Sequence, residues 1–306
     1  MMNILTGCHS SKNVTYCQYF CMQVKKILYN ASGYPEPLRQ LNSPPKELFI
    51  AGEFDELLAR PRVAIVGSRK VSAYGQGVTV RLASELARQG IVIISGLALG
   101  VDALAHRGAL EAGGLTLAVL PGPLTTIYPT SHRWLAEQII SHGGVLVSEY
   151  PAGSLPFKTN FVARNRIVAG LCDALLITEA SEKSGSLHTA RFALEQGKDV
   201  LAVPGNITSP TSVGTNNLLK SGAAPVTSAD DVLHVLNLKP AVKARSIKGA
   251  NETEQRLIDL LGQDVADGAQ LLARSELEIG AFNQTLTMLE ITGKIRSLGA
   301  NQWALR

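Results

Sequence analysis

Gly67, Ser68 and Arg69 follow a short apolar run, VAIV at 63–66, and place three parts of an anion site in consecutive positions. Glycine lets the backbone come close to a ligand, serine supplies a hydroxyl, and arginine can grip a phosphate through two parallel N–H bonds. Where a strand turns into a helix, the free amides of the first helical turn and the helix dipole add to that attraction. A second cluster lies in PFKTNFVARNRIVAGL, 156–171, where Lys158, Arg164 and Arg166 surround Phe161. Lysine and arginine can track a phosphate chain, and an aromatic face can stack a base for about 1–3 kcal/mol. Two Ser/Gly-rich stretches, SGLALGVDALAH at 95–106 and EKSGSLHTA at 182–190, have the composition of further anion nests. The common chemistry is phosphate recognition. Spacing alone suits a mononucleotide and a longer phosphodiester chain equally.

Other chemistries find less support. A dinucleotide site needs GxGxxG at the end of the first strand and an acid about twenty residues on. Here Gly67 stands alone, and the nearby GQGVTV has valine where the third glycine belongs. A structural alternative for Arg69 is an ion pair with Asp102 or Glu149. His106 lies in the apolar pattern DALAHRGAL and is expected to be a packed helix residue. His188 falls near the second nest, where it could touch phosphate or the backbone. Cys8, His9, Cys17 and Cys21 lack a close CxxC pair, so no metal is expected and the thiols are expected to be free. No Ser, His and acid set demands catalysis.

These residues need elements to position them, and the apolar pattern supplies them. Strands are expected at VAIVG (63), IVIISG (91), LTLAVLPG (115), GVLVSEYP (144), DALLITEA (173) and DVLAVPG (199). Helical spacing appears at VRLASELARQ (80–89) and HTARFALEQG (188–197), each stopping at glycine. Alternating strands and helices imply an α/β fold around a parallel sheet, with the ligand crevice beyond the strands' carboxyl ends. The chain divides into a head and proline-punctuated connector at 1–54, an α/β domain at 55–236, a linker at 237–250 and a small module at 251–306. The head shows no sustained period. The last module has three helical patterns and then IRSLGANQWALR, which suggests a hairpin; three helices and a hairpin make a winged helix.

Composition narrows the class. Of 306 residues 45% are hydrophobic and 18% charged, with 28 glycines, as in a globular α/β protein with many tight turns. A net charge of +4 is mild, so a nucleic-acid partner must be held by a local patch. Four cysteines, no secretory signal and no long apolar run imply a cytoplasmic protein that does not enter a membrane.

Seven motifs occur in order: VAIVGSRKVSAYG, SGLALGVDALAHRGAL, TLAVLPGPLTTIYP, LVSEYP, FVARNRIVAGL, EASEKSGSLHTARFALEQGKDVLAVPG and GTNNLLKSGAAPV. From about 63 to 232 the chain thereby resembles the DNA-processing protein A family, DprA or Smf. The resemblance implies an extended Rossmann-type domain, with a mostly parallel sheet, that binds single-stranded DNA without catalysis or cofactor. It also implies a homodimer that loads RecA recombinase onto incoming DNA in natural transformation. Carried over residue by residue, it implies that Arg69, Lys158 and Phe161 bind the strand, with Gly67, Ser68, Asn165 and Arg166 as neighbours. Two features depart from the pattern. The head does not resemble the helical N-terminal domain of many members. The expected recognition helix, 280–291, offers Asn283, Gln284 and Thr287 but no Lys or Arg, and its Glu290 opposes phosphate. Duplex reading by that helix is therefore not expected, and a protein contact is at least as consistent. The rival reading is a nucleotide-binding hydrolase of the lysine-decarboxylase-like, phosphoribohydrolase class. That class carries PGGxGTxxE, whereas this chain has KSGSLHTA at the corresponding place, with Glu149 and Glu179 left at strand ends.

Overall fold

The computed structural model describes residues 14–17, 20–155, 157–239, 248–263, 265–299 and 301–305, with side chains from 23 onward. Two compact units emerge, residues 1–241 and 242–306. Cys8 and His9, and the side chains of Cys17 and Cys21, lie outside the described residues, as does most of the expected linker.

The strands at the centre of the first unit are β4 (Arg62–Val66), β5 (Val92–Ser95), β6 (Thr116–Val119), β7 (Val145–Ser148), β8 (Ala174–Ile177) and β9 (Asp199–Ala202). Each coincides with an expected apolar run. β5, β6, β7 and β8 are buried at every position. That is the pattern of parallel strands covered on both faces, and it explains runs without alternation. Alternate residues nonetheless serve different layers. Val63 and Ile65 of β4 pack toward α3 (Ala73–Arg88) and α4 (Val101–Glu111), while Ala64 and Val66 pack toward α6 (Lys158–Leu171). The α3–α4 contact is tight: Ser84 Oγ donates to the Gly108 carbonyl at 2.8 Å, and a side chain at Gly108 would run into Ala83. α5 (Arg133–Ser141) covers β6 and β7, and α7 (Ser186–Glu195) lies between β8 and β9 in sequence; the short helices α1 (Glu36–Arg39), α2 (Phe54–Leu58), α8 (Val213–Lys220) and α9 (Ala229–Val235) complete the unit's described α-helices.

Among the described residues ten strands form one sheet, in the order β1-β2-β3-β7-β6-β5-β4-β8-β9-β10. From β7 to β10 (Ala224–Pro225) every pairing is parallel. β1 (Val14–Cys17), β2 (Phe20–Leu28) and β3 (Glu47–Ala51) extend it antiparallel beyond β7. The stretch read in sequence as a poorly specified head and an ordered connector, 1–54, thus contributes three strands among its described residues. β2 is hard to see in sequence because, of its residues 23–28, only Val24 is buried. It is held by the ladder to β3 and by ion pairs of Lys25 with Glu53 and Lys26 with Glu47. β3 carries a visible signal, since Leu48 and Ile50 alternate into the core.

The second unit has its own core. α10 (Glu252–Gly262), α11 (Gly268–Ser275) and α12 (Ile279–Ile291) pack Leu257, Leu271, Phe282, Leu286 and Leu289 around Ile295 of the hairpin β11 (Ile295–Gly299) and β12 (Gln302–Leu305). This is the expected winged helix. Asn283, Gln284, Thr287 and Glu290 are exposed on α12.

β4 is flanked by β5 on one side and β8 on the other, with the chain leaving through α3 one way and returning through α6 the other. That reversal is the switch point at which doubly wound sheets open a crevice. Because Ile94 is fully buried in the central strand β5, Ile94→Ala is expected to destabilise the first unit by about 2–5 kcal/mol. Urea unfolding followed by circular dichroism, with an unchanged slope against urea, checks it.

Candidate nucleic-acid interface

The turn after β4 is held from two sides. Ser68 N–H donates to the Glu179 carbonyl at 2.7 Å, just past the end of β8, and the Ser68 carbonyl accepts from Val101 at the start of α4 at 3.1 Å. Gly67 is required here, because a side chain would strike the Glu179 carbonyl and Val101. Gly100, at φ +80°, lets α4 begin directly against the carbonyls of Ser68 and Arg69. The Ser68 hydroxyl donates to the Lys70 carbonyl at 2.8 Å and accepts from the Lys70 amide at 3.1 Å. Ser72 caps α3 by accepting from Gly75, and its own amide donates to Glu179 Oε2 at 2.9 Å. The amides expected to be free after Gly67 are thus partly taken. Those of Ser68, Lys70 and Ser72 already have protein acceptors.

With the inner side of the turn filled, Arg69 points outward. It is exposed, and its guanidinium lies 5.1 Å from the centre of the Phe161 ring. Tyr128, in the loop after β6 and 47% exposed, meets the same ring edge to face at 5.4 Å and 76°. Lys158 opens α6 three residues before Phe161 and is exposed; that spacing puts the two on neighbouring positions of one helix face. The first turn of α6 has no acidic residue. A lysine at the positive end of a helix is unfavourable for the helix alone, and an anion there would offset it. The ion-pair alternative for Arg69 is not realised among the described residues: Glu149 pairs with Arg166, and Asp102 accepts from the amides of Gly96 and Ala98.

Two residues grouped with this patch in sequence lie elsewhere. Arg164 is buried; its guanidinium donates to the Val119 carbonyl and packs against Gly96, where any side chain would collide with it. Burial pulls its pKa down to about 10, against the opposing pull of Asp102. Arg166 forms a two-armed pair with Glu149 at 2.6 and 2.9 Å and also donates to the Ser43 carbonyl. Its donors therefore brace α6 against the β7 end and the 34–46 segment. Asn165 reaches the Gly185 carbonyl at 3.5 Å, linking α6 to the start of α7. Tyr128 was missed in sequence; its signal was an aromatic in the loop directly after a strand end.

Two buried histidines of the first unit bond to its backbone and hydroxyl groups. His132 Nδ1 bonds to the Leu97 carbonyl at 2.9 Å. The Thr116 hydroxyl donates to the Ile93 carbonyl at 2.6 Å, so His106 Nδ1 carries the hydrogen it shares with Thr116 at 2.6 Å. His106 is the packed helix residue expected. Burial, aided by Arg164 and His132, lowers its pKa to about 3. No cluster of three or more metal-ligating side chains occurs among the described residues, and no described helix is long and apolar enough to cross a membrane.

The family described as DNA recombination-mediator protein A matches residues 25–237, and the DprA winged helix domain matches 241–301. The chain belongs to the DNA recombination-mediator protein A family. Within that family it is 44% identical over 203 residues to Protein Smf of Escherichia coli, a match covering 66% of this chain and 54% of that protein. It is 38% identical to DNA processing protein DprA of Bacillus subtilis, covering 70% of this chain and 71% of that one. The chain thus spans about half the length of the first relative and more of the second. The crystal structure of DprA from Streptococcus pneumoniae superposes with a TM-score of 0.65 at 40% identity, covering 71% of this chain and 75% of that one. DNA processing protein A from Helicobacter pylori, whose structure describes a single-stranded DNA binding mode, superposes at 0.62 and 36% identity, covering 70% and 95%.

Burial holds His106 neutral, and that has a pH signature. In the unfolded chain the imidazole takes a proton below about 6.5, which the folded protein refuses until about 3. Protonation therefore favours unfolding, and this contribution to stability is full above about pH 6.5 and lost as pH falls toward 3. Chemical unfolding of wild type and His106→Gln at pH 7 and pH 5 should show a shallower pH dependence in the variant.

Proposed function

We propose that this protein binds single-stranded DNA at the carboxyl-end crevice of β4 and β8, without catalysis, and delivers it to RecA recombinase as part of DNA processing during natural transformation. The observation that carries the reading is the exposed Arg69 guanidinium lying on Phe161, with Tyr128 against the ring and Lys158 one turn away. Arg69 and Lys158 engage successive phosphates as cations. Phe161, with Tyr128 beside it, supplies the apolar surface on which a base stacks, indifferent to base identity because every base has a π face. Gly67 and Ser68 hold Arg69 in place, while Asn165 and Arg166 hold α6. Support comes from membership of the family and from the Helicobacter pylori relative that binds single-stranded DNA. A homodimer acting in the cytoplasm completes the proposal, with RecA loading as the downstream step. On the rival hydrolase reading Glu149 or Glu179 would act on substrate; here both carboxylates have protein partners.

Fluorescence anisotropy with a labelled oligonucleotide tests the site. Wild type should prefer the single strand to duplex, with affinity falling as salt rises by a log-log slope of roughly −0.7 per phosphate neutralised. Arg69→Ala with Lys158→Ala should lose most binding and make the slope shallower by roughly 1.4. Phe161→Ala should cost about 1–3 kcal/mol with the slope unchanged, since it removes stacking and no charge. Equal binding by wild type and the double variant would overturn the crevice as the site. RecA nucleation on protein-coated single strands, and sedimentation for the dimer, test the remaining steps.

A further inference from the structure

Doubly wound folds seat a nucleotide's phosphate on the helix N-terminus that follows the first strand, at the switch point. In this chain that position is β4, its turn and the start of α3, and a side chain of the protein is already in it. Glu179 leaves the end of β8 and is 2% exposed. Its Oε2 accepts the Ser72 amide at 2.9 Å. The same oxygen lies where a side chain at Gly75 would be, so the carboxylate fills the space over the first turn of α3. Its Oε1 is buried with no hydrogen-bond partner among the described residues. The Glu179 carbonyl takes the Ser68 amide as well.

A carboxylate in this place does what a bound phosphate would do for the helix end: it accepts an amide hydrogen bond and faces the positive dipole. It also rejects a second anion, by volume and by charge. We propose that Glu179 is a specificity-determining residue that seals the nucleotide-phosphate position, so the crevice refuses phosphate monoesters and leaves a phosphodiester strand to the side chains outside. The inference rests on the DNA reading only for what is admitted. The exclusion stands on the placement of Glu179. It also accounts for a switch point rich in anion-binding composition in which Arg69 reaches away from the turn rather than over it.

Thermal unfolding at constant ionic strength, with inorganic phosphate or AMP against chloride, is the test. Wild type is expected to show no phosphate-specific shift at millimolar ligand. Glu179→Ala, which uncovers the Ser72 amide and the space beside Gly75, is expected to gain stability of about 2–4 °C at phosphate roughly ten times its dissociation constant. Glu179→Ser, which removes the charge and most of the volume, serves in its place if Glu179→Ala does not unfold cooperatively. A folded variant that ignores phosphate as wild type does overturns the proposal. So does a wild type that responds to phosphate or AMP as strongly as the variant, an arm that needs no variant to fold. Oligonucleotide anisotropy on the same samples separates the two readings. A phosphate response gained while DNA binding proves independent of Arg69 and Lys158 keeps the seal and removes the DNA site. No phosphate response with DNA binding at Arg69 intact removes the seal alone.

Discussion

Two amide hydrogens of the turn after β4, those of Ser68 and Ser72, end on one residue of the neighbouring strand's end, Glu179. Backbone amides withdrawn from water need acceptors, and here the acceptors come from across the switch point rather than from within the turn. A buried carboxylate receiving a charge-assisted bond at a helix N-terminus fixes both the path of the turn and the start of α3. The outward course of Arg69 follows from that. With the space inside the turn occupied by Glu179, and Gly100 pressed against the Ser68 and Arg69 carbonyls, the arginine side chain has solvent as its open direction.

The other half of the site depends on how α6 is anchored. Arg164 carries a charge into the interior, which is costly unless the charge is met by acceptors. The Val119 carbonyl receives its guanidinium, Gly96 gives it room, and Asp102 supplies opposing charge nearby. Arg166 adds a braced pair with Glu149 on the flank. Asn160, Arg164, Ile167, Val168 and Leu171 form the inward stripe of the helix, which leaves Lys158 and Phe161 toward the crevice rim. Two arginines thus spend their charge on placing α6, while Arg69 and Lys158 remain exposed. This division explains how a chain of net charge +4 can present a concentrated cationic spot without a basic surface throughout.

How much of this was legible in sequence varied with how local its cause is. The six central strands were, because parallel strands buried on both faces appear as unbroken apolar runs. The winged helix was, through its helical periods and the Gly-Ala-Asn turn. α3 begins at Ala73 rather than near 80, since the glycines and polar residues of AYGQGVT hide the helical period that the Ser72 cap starts. β2 escaped because its stability lies in pairing with β3 rather than in its own side chains. For Arg164 the signal was present: it sits four residues before Val168 and three before Ile167, on the apolar stripe, and a run of basic residues masked that. The Arg166–Glu149 pair and the Glu179 contact join positions far apart in the chain, so no local pattern could reveal them. Tyr128 belongs with these, since its contact to Phe161 comes from a different loop.

Ring and cation together define the account's central claim, that the strand lies on Phe161 beside Arg69. Photocrosslinking of an oligonucleotide carrying 5-bromouracil, followed by peptide mapping, tests it most directly, because crosslinks form where a base stacks on an aromatic side chain. The account predicts crosslinked peptides containing Phe161 or Tyr128, suppressed by unlabelled single strand. Crosslinks confined to residues 251–306, or to surfaces away from the carboxyl ends of the strands, would contradict it.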